Sequence, residues 1–363
     1  MHRRTIAAWT LFAALGGVAP AQADFVAVNI APALDTIYYA DLDALPVAAQ
    51  TPVATLAGNF IRGIELTAEK TGWYVATSAS AGSPTGFYRL EDGVSTLVAP
   101  LPFTSTASGA LAFGPGEAFL WWIVDPPVGD DSLYRIDFDG TFTLVGVVAF
   151  PGVTTASVHA AATDPDTGLL YVVETASDSL YVVDQVTAQA TLVGPLGVSV
   201  SAIGGMDFSL DGTNRLFYAA QTVVYVVDKT TGAAGASVGS LPSTTSGIAA
   251  IPGRVTLKTS PLQINTPVVV TLSGGTPGDP FTLFASPFPG YLQLPGFGVV
   301  RIDPFTAFPV VSDVLDASGG YTFTAFLPND PNLIGIPINL QAVYTSVATL
   351  TTRFTNATSG VIQ

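Results

Sequence analysis

Apolar residues in this chain come in short runs cut by Gly, Pro, Asp and Thr. That is the pattern of buried strands, not of amphipathic helices. The clearest example is Leu180-Tyr-Val-Val-Asp184, followed by a polar link and Thr191-Leu-Val-Gly194. The same phrase recurs: Tyr38, Tyr88, Tyr134, Tyr181 and Tyr225 each sit in an apolar-aromatic pentad, 44 to 50 residues from the next. A repeat of this length made only of strand signals predicts a β-propeller.

Each repeat holds four strand signals. Strands at a propeller axis converge, so the innermost should be rich in small residues. Arg62–Leu66, Gly109–Phe113, His159–Thr163, Gly204–Phe208 and Gly247–Ile251 fit that role. Second strands follow at Trp73–Thr77, Phe119–Val124, Leu169–Glu174 and Leu216–Ala220, then the Tyr pentads, then outer strands at Val94–Val98, Thr141–Val145, Ala190–Val193 and Ala236–Val238. The last inner strand has no successors, whereas Phe25–Asn29, Ile37–Asp41 and Val53–Leu56 have no inner strand before them. Joining the two ends gives five blades over residues 24–252, the N-terminal strands completing the last blade and removing its open edges. The turns agree. Asp164-Pro-Asp-Thr-Gly168 and Leu210-Asp-Gly-Thr-Asn214 occupy the same place in their blades and carry tight-turn chemistry. Asp41, Asp137, Asp184 and Asp228 all end third strands, where a carboxylate caps the turn to the outer strand.

These motifs, with Gly-x-x-Phe before an Asp-Gly turn, resemble the YVTN-type and related bacterial surface-protein propellers. The resemblance implies the fold and leaves function open, because the repeated residues are those that build blades.

Near Arg254 the rhythm stops. Seven strand-like runs follow, at Val255–Lys258, Val268–Leu272, Phe281–Phe284, Gly298–Ile302, Tyr321–Phe326, Ile338–Tyr344 and Thr349–Phe354. Residues 253–363 are therefore expected to form a β-sandwich, Ig-like or jelly-roll-like. Ser318-Gly-Gly-Tyr-Thr-Phe323, Pro328-Asn-Asp-Pro-Asn-Leu333 and Ile336-Pro-Ile-Asn-Leu-Gln341 resemble a C-terminal module of many secreted bacterial proteins, which implies no activity.

Composition changes this picture in three ways. Hydrophobic residues make up 48% of the chain and charged residues 11%, so a membrane protein has to be considered. The one long apolar run is Thr5–Ala19, after Arg3 and Arg4 and before Ala21-Gln22-Ala23, which reads as a signal peptide over residues 1–23. The expected product is secreted: extracellular, at the cell surface or periplasmic, and not membrane-spanning. Without Arg3 and Arg4, 10 basic residues face 27 acidic ones, a net charge of −17 that repels nucleic acid. There is no cysteine, and His159 is the only histidine after the leader, so thiolate sites, His-pair zinc sites and Ser-His-Asp catalysis drop out. No metal site or cofactor is expected, although an acidic chain leaves room for calcium.

Chemistry in propellers gathers on the axis. Aligned inner strands put Arg62 and His159 at one level and Glu65 and Asp207 at another, among glycines and alanines. Arg62 and His159 suit a ligand at the axial mouth, and Trp122 beside Trp121 suits a stacking platform for carbohydrate. Glu65 and Asp207 are a candidate acid–base pair of the glycosidase kind. A third carboxylate is missing unless Asp24 or Glu174 bends in. The leading expectation is a non-catalytic binding or cell-surface structural protein, its partner an unknown extracellular ligand such as carbohydrate or another surface protein. The runner-up is an extracellular polysaccharide-acting enzyme using Glu65 and Asp207. A purely architectural surface component is the third.

Overall fold

The structure is a computed structural model that describes residues 24–29, 35–42, 54–57, 59–67, 71–78, 84–91, 93–103, 109–124, 131–153, 157–200, 203–210, 213–251, 255–294, 297–347 and 351–363. The expected signal segment lies outside them. Regular structure in the described residues is strand, apart from two single 3-10 turns. No helix among them is long and apolar enough to cross a membrane.

The first twenty strands form five four-stranded antiparallel sheets. Their innermost strands are Asn59–Leu66, Gly109–Phe113, Val158–Thr163, Gly204–Phe208 and Thr245–Ala250. Each packs against the next in that order, and Thr245–Ala250 packs back against Asn59–Leu66. The fifth sheet joins the two ends of this region. Thr245–Ala250 pairs with Asp24–Asn29, which pairs with Thr36–Asp41 and then Ala54–Thr55, with Val26 opposite Ala249.

Small residues let the inner strands meet. A Cβ added at Gly205 would lie 2.5 Å from the Ile248 nitrogen, and one at Gly63, whose φ is +135°, would lie 2.8 Å from the Leu111 Cβ. Around this axis, apolar side chains of adjacent sheets interdigitate. Trp73, Phe87, Leu111 and Trp122 share one core, and Tyr171, Met206, Phe208 and Tyr218 another. Full burial of such side chains contributes roughly 1.5–3 kcal/mol each.

The turns follow the expected chemistry. Asp164 accepts the Gly168 N–H on its carbonyl at 2.8 Å and the Asp166 N–H on its carboxylate at 2.9 Å, and Gly168 sits at φ +72°. Asp184 accepts the N–H groups of Val186 and Thr187, both at 2.8 Å, and Asp228 accepts the backbone N–H and the hydroxyl of Thr230. Asp137 instead holds Arg135 at 2.7 Å. The Asp41 side chain lies outside the described ones.

The last nine strands form three sheets. Val268, Val270 and Leu272 of one share a core with Phe281, Leu283, Leu340 and Ala342 of another. Two of these strands, Pro289–Leu294 and Phe308–Val314, were not among the expected runs. Both carry proline, which weakens a strand pattern. Phe308–Val314 is an edge strand, where Pro309 is tolerated beside a bulge opposite Leu283 and Phe284.

Candidate functional site

The inner strands open, at their C-terminal ends, into a cavity of about 540 Å³. All five contribute to its wall: Glu65 and Leu66 from the first, Phe113 from the second, Thr163 from the third, Asp207 and Phe208 from the fourth, Ala250 from the fifth. The turns after the second and third strands add Gly114, Pro115 and Glu117, and residues 164–168. Tyr291 and Arg301, from the two-stranded sheet beyond residue 280, line it as well.

Register explains how the carboxylates come together. Glu65, Ala112, Ala162, Asp207 and Ala250 hold equivalent places in their strands. Directly opposite them, on the second strands, stand Trp73, Trp121, Tyr171, Phe217 and Phe25. Opposed residues of an antiparallel pair share a face. Every sheet thus sets an aromatic ring behind this level; three sheets fill the inner place with alanine and two with a carboxylate. The rings are buried and apolar, so the acids sit in a poorly solvated wall.

Their acidities follow. Glu65 is 4% exposed. Burial, then the charges of Asp207 and Glu117, hold its pKa well above the usual carboxylate range. Asp207 is pushed up to about 7, chiefly by burial and further by Glu117. Two backbone N–H groups oppose the rise: Phe208 donates to Oδ1 and Ala250 to Oδ2, both at 2.7 Å. Asp164, in the same cavity wall, behaves differently. Burial alone would raise it, but Lys229 at 2.7 Å, the Asn214 amide at 2.9 Å and the Asp166 N–H hold it below the ordinary value.

A further carboxylate of the cavity wall is Glu117. It closes the 3-10 turn Pro115–Glu117 with φ +55°, and its Oε1 accepts from Arg301 at 2.8 Å. The Arg301 guanidinium lies 5.2 Å from the centre of the Tyr291 ring. Its backbone N–H donates to Gln341 Oε1 at 2.8 Å, and Gln341 Nε2 donates to Val299 and Thr355 carbonyls, which ties this strand to the neighbouring sheet. Sequence reasoning missed Glu117, Arg301 and Tyr291. Gly114-Pro-Gly-Glu117 follows its inner strand as Asp164-Pro-Asp-Thr-Gly168 follows the next, so aligning the turns would have found Glu117. Arg301 and Tyr291 lie outside the repeat and carry no such signal.

Glu65 and Asp207 are thus the predicted residues that share a cavity. Glu174, the proposed reserve, is fully buried elsewhere, its carboxylate accepting from Ser157, Ala176 and Ser177. The Asp24 and Arg62 side chains lie outside the described ones. His159 is at the opposite end of its inner strand, 6% exposed, with Nε2 3.0 Å from Ser157 Oγ. The axial space beside it measures about 10 Å³, room for a water at most. Trp122 is 1% exposed, stacked on Phe103 at 5.6 Å and packed on Tyr134 and Phe142. Neither face of its ring is open to a sugar. Trp121 points to the other side of the sheet, into a separate core. Among the described residues no group of three or more acidic or histidine side chains is placed to hold a metal ion.

Residues 74–250 match a family described as a repeat of unknown function (DUF6923). No curated protein matches the chain. Similar solved structures include a gluconolactonase from Xanthomonas campestris (15% identity, TM-score 0.39, 70% of this chain and 84% of that one). TolB from Acinetobacter baumannii is similar at 12% identity and TM-score 0.38, over 66% of this chain and 69% of that one. A protein of unknown function from Bacteroides thetaiotaomicron is similar at 12% identity and TM-score 0.38, over 91% and 83%.

Proposed function

We propose that this chain is an exported binding protein whose ligand site is the cavity at the C-terminal ends of the inner strands. In this reading residues 1–23 are a signal peptide, residues 24–252 a five-bladed propeller and residues 253–363 a β-sandwich that covers one mouth of it. The observation that carries it is convergence: five sheets and the region beyond them all contribute to one cavity, large enough for a small molecule and mostly apolar, with a few polar groups inside. The axial level of His159 has no comparable space, so the recognition site belongs at the Glu65 end.

A second reading is favoured by the acids themselves. One carboxyl whose pKa burial holds well above the usual range, in the same cavity wall as another pushed up to about 7, is the arrangement an acid–base hydrolase uses. In that reading Glu65 is the general acid and Asp207 the base or nucleophile. Arg301 and Glu117 position the substrate.

Purified residues 24–363 would be screened by calorimetry against oligosaccharides and a set of neutral, acidic and basic small molecules, with reducing-end release measured in parallel. Saturable binding without turnover, abolished by Leu210→Trp at the cavity wall, is the expected result. Turnover that disappears in Glu65→Gln overturns the non-catalytic reading in favour of the second. Binding untouched by Leu210→Trp overturns the assignment of the cavity.

A further inference from the structure

The cavity has a charge imbalance that narrows its ligand. Its wall carries Glu65, Glu117, Asp164, Asp166 and Asp207 against Arg301. Arg301 is engaged by Glu117, and the nearby Lys229 by Asp164. Among the described residues no cation and no hydrogen-bond donor engages the Glu65 carboxyl, which is 96% buried and faces the cavity. Asp207 beside it receives only two backbone N–H groups, leaving lone pairs on both oxygens for a further donor. A divalent metal is poorly served, because such ions take six or more oxygen ligands and no cluster of three carboxylates is in place here. The rest of the wall is apolar: Leu66, Phe113, Pro115, Phe208, Leu210 and the ring of Tyr291.

We propose that the ligand is a small amphipathic organic cation, its ammonium group held by Glu65 and Asp207 and its apolar body against Phe113, Phe208, Leu210 and Tyr291. This rests on the reading of the cavity as the ligand site and names the chemistry it recognises. An ammonium supplies what the buried acids lack: a positive charge and up to three N–H donors. An acidic ligand meets a wall of carboxyls whose cation, Arg301, is already paired with Glu117, and a neutral polyol gains only ordinary hydrogen bonds.

The buried acids also give the proposal a thermodynamic signature. Burial and the charges of Asp207 and Glu117 hold the Glu65 pKa well above the usual carboxylate range. The groups that face it are therefore Asp207 and Glu117, with Arg301 paired beyond Glu117 and Asp164 paired to Lys229 across the cavity. A bound ammonium favours the ionised form of both acids, so binding expels protons and tightens as pH rises through the Asp207 value of about 7.

The test is calorimetry on residues 24–363 with 2-phenylethylamine, 2-phenylethanol and 3-phenylpropanoate, each in two buffers of different ionisation enthalpy. The amine should bind at least tenfold tighter than the alcohol, the acid should not bind, and protons should leave as the amine binds. Glu65→Gln, an isosteric change, should weaken the amine at least tenfold and reduce proton release while sparing the alcohol. Glu91→Gln, at an exposed pair with Arg89, should change neither. Amine and alcohol binding equally, with both lost in Leu210→Trp, overturns the cation inference and leaves the cavity reading standing. Amine binding that survives Leu210→Trp, or no binding by any probe, overturns the inference; the broader screen then decides separately whether the cavity takes ligands at all.

Discussion

The two ends of the same five inner strands are built on opposite principles. At the axial level of Gly63, Gly205 and Gly247 the backbones touch: a Cβ on Gly205 would come within 2.6 Å of the Gly247 Cα, and one on Gly247 within 3.0 Å of the Gly63 Cα. The space left there is about 10 Å³. At the level of Glu65 and Asp207 the strands end around about 540 Å³. The step between closed and open is two residues along a strand. The difference teaches that the axis is a fastening, closed by the absence of side chains. Among the described residues, room for a ligand lies at the end where the strands separate and a second region lines the opening.

That contrast can be broken most severely at the fastening. Gly205→Val places a branched side chain against the Ile248 backbone, which has nowhere to move, and should cost about 3 kcal/mol or more in chemical denaturation. A cost below about 1 kcal/mol would mean that the axis is loosely packed.

Lys229→Met comes next. It strips the cation from Asp164, which is fully buried but keeps Asn214 and a backbone N–H, so the expected loss is about 2 kcal/mol at neutral pH. The folded pKa of Asp164 lies below its usual 3.8, so its contribution is present above that value and lost as pH falls through the lower folded pKa. The variant should therefore show a shallower acid limb in stability against pH.

Glu65→Gln should move the other way, stabilising by on the order of 1 kcal/mol at pH 8, because it replaces a badly solvated acid with a neutral isostere. Here the folded pKa is raised above the usual 4.5. The stability it contributes is complete below 4.5 and is lost as pH rises through the folded value. Wild type should lose stability relative to the variant on the alkaline side; parallel curves would show Glu65 to be solvated.

Arg301→Ala is the smallest. The Glu117 pair is partly exposed, and its loss should lower global stability by less than about 1 kcal/mol. Proteolysis between residues 280 and 310 should nonetheless quicken, since the variant loosens the cover without touching the axis.

Much of this contrast was legible in the sequence. Small residues in the inner strands gave the axis. Placing Glu65 and Asp207 at equivalent positions among alanines gave the pair, because strand register is read from a period of two. The N-terminal strands could be matched to Thr245–Ala250 by counting what each end lacked. Three things were not legible. The burial of Trp122 depends on Phe103, Tyr134 and Phe142, which lie on other strands and a loop. Aligning the turns would have marked the position of Glu117, but not the left-handed backbone it adopts there. Arg301 and Tyr291 reach the cavity from a region with its own strand pattern, and no periodicity links the two.

The sheet that joins both ends of the first region also sets an order of assembly. Tyr38 meets Thr245, 207 residues later, with their hydroxyls 3.4 Å apart. Asp24–Asn29 has no partner on its inner side until Thr245–Ala250 has been synthesised. Contacts this distant in sequence slow folding, since the entropy of closing a long loop is lost before the pairing returns anything. The four sheets made of consecutive strands can form as they emerge, but the ring cannot close until nearly the whole region is available. A translating ribosome therefore holds an open arc of sheets, and the first strand waits for the last. Truncation after residue 240 should leave that arc permanently unlatched, with the edge of Asp24–Asn29 exposed to pairing between chains.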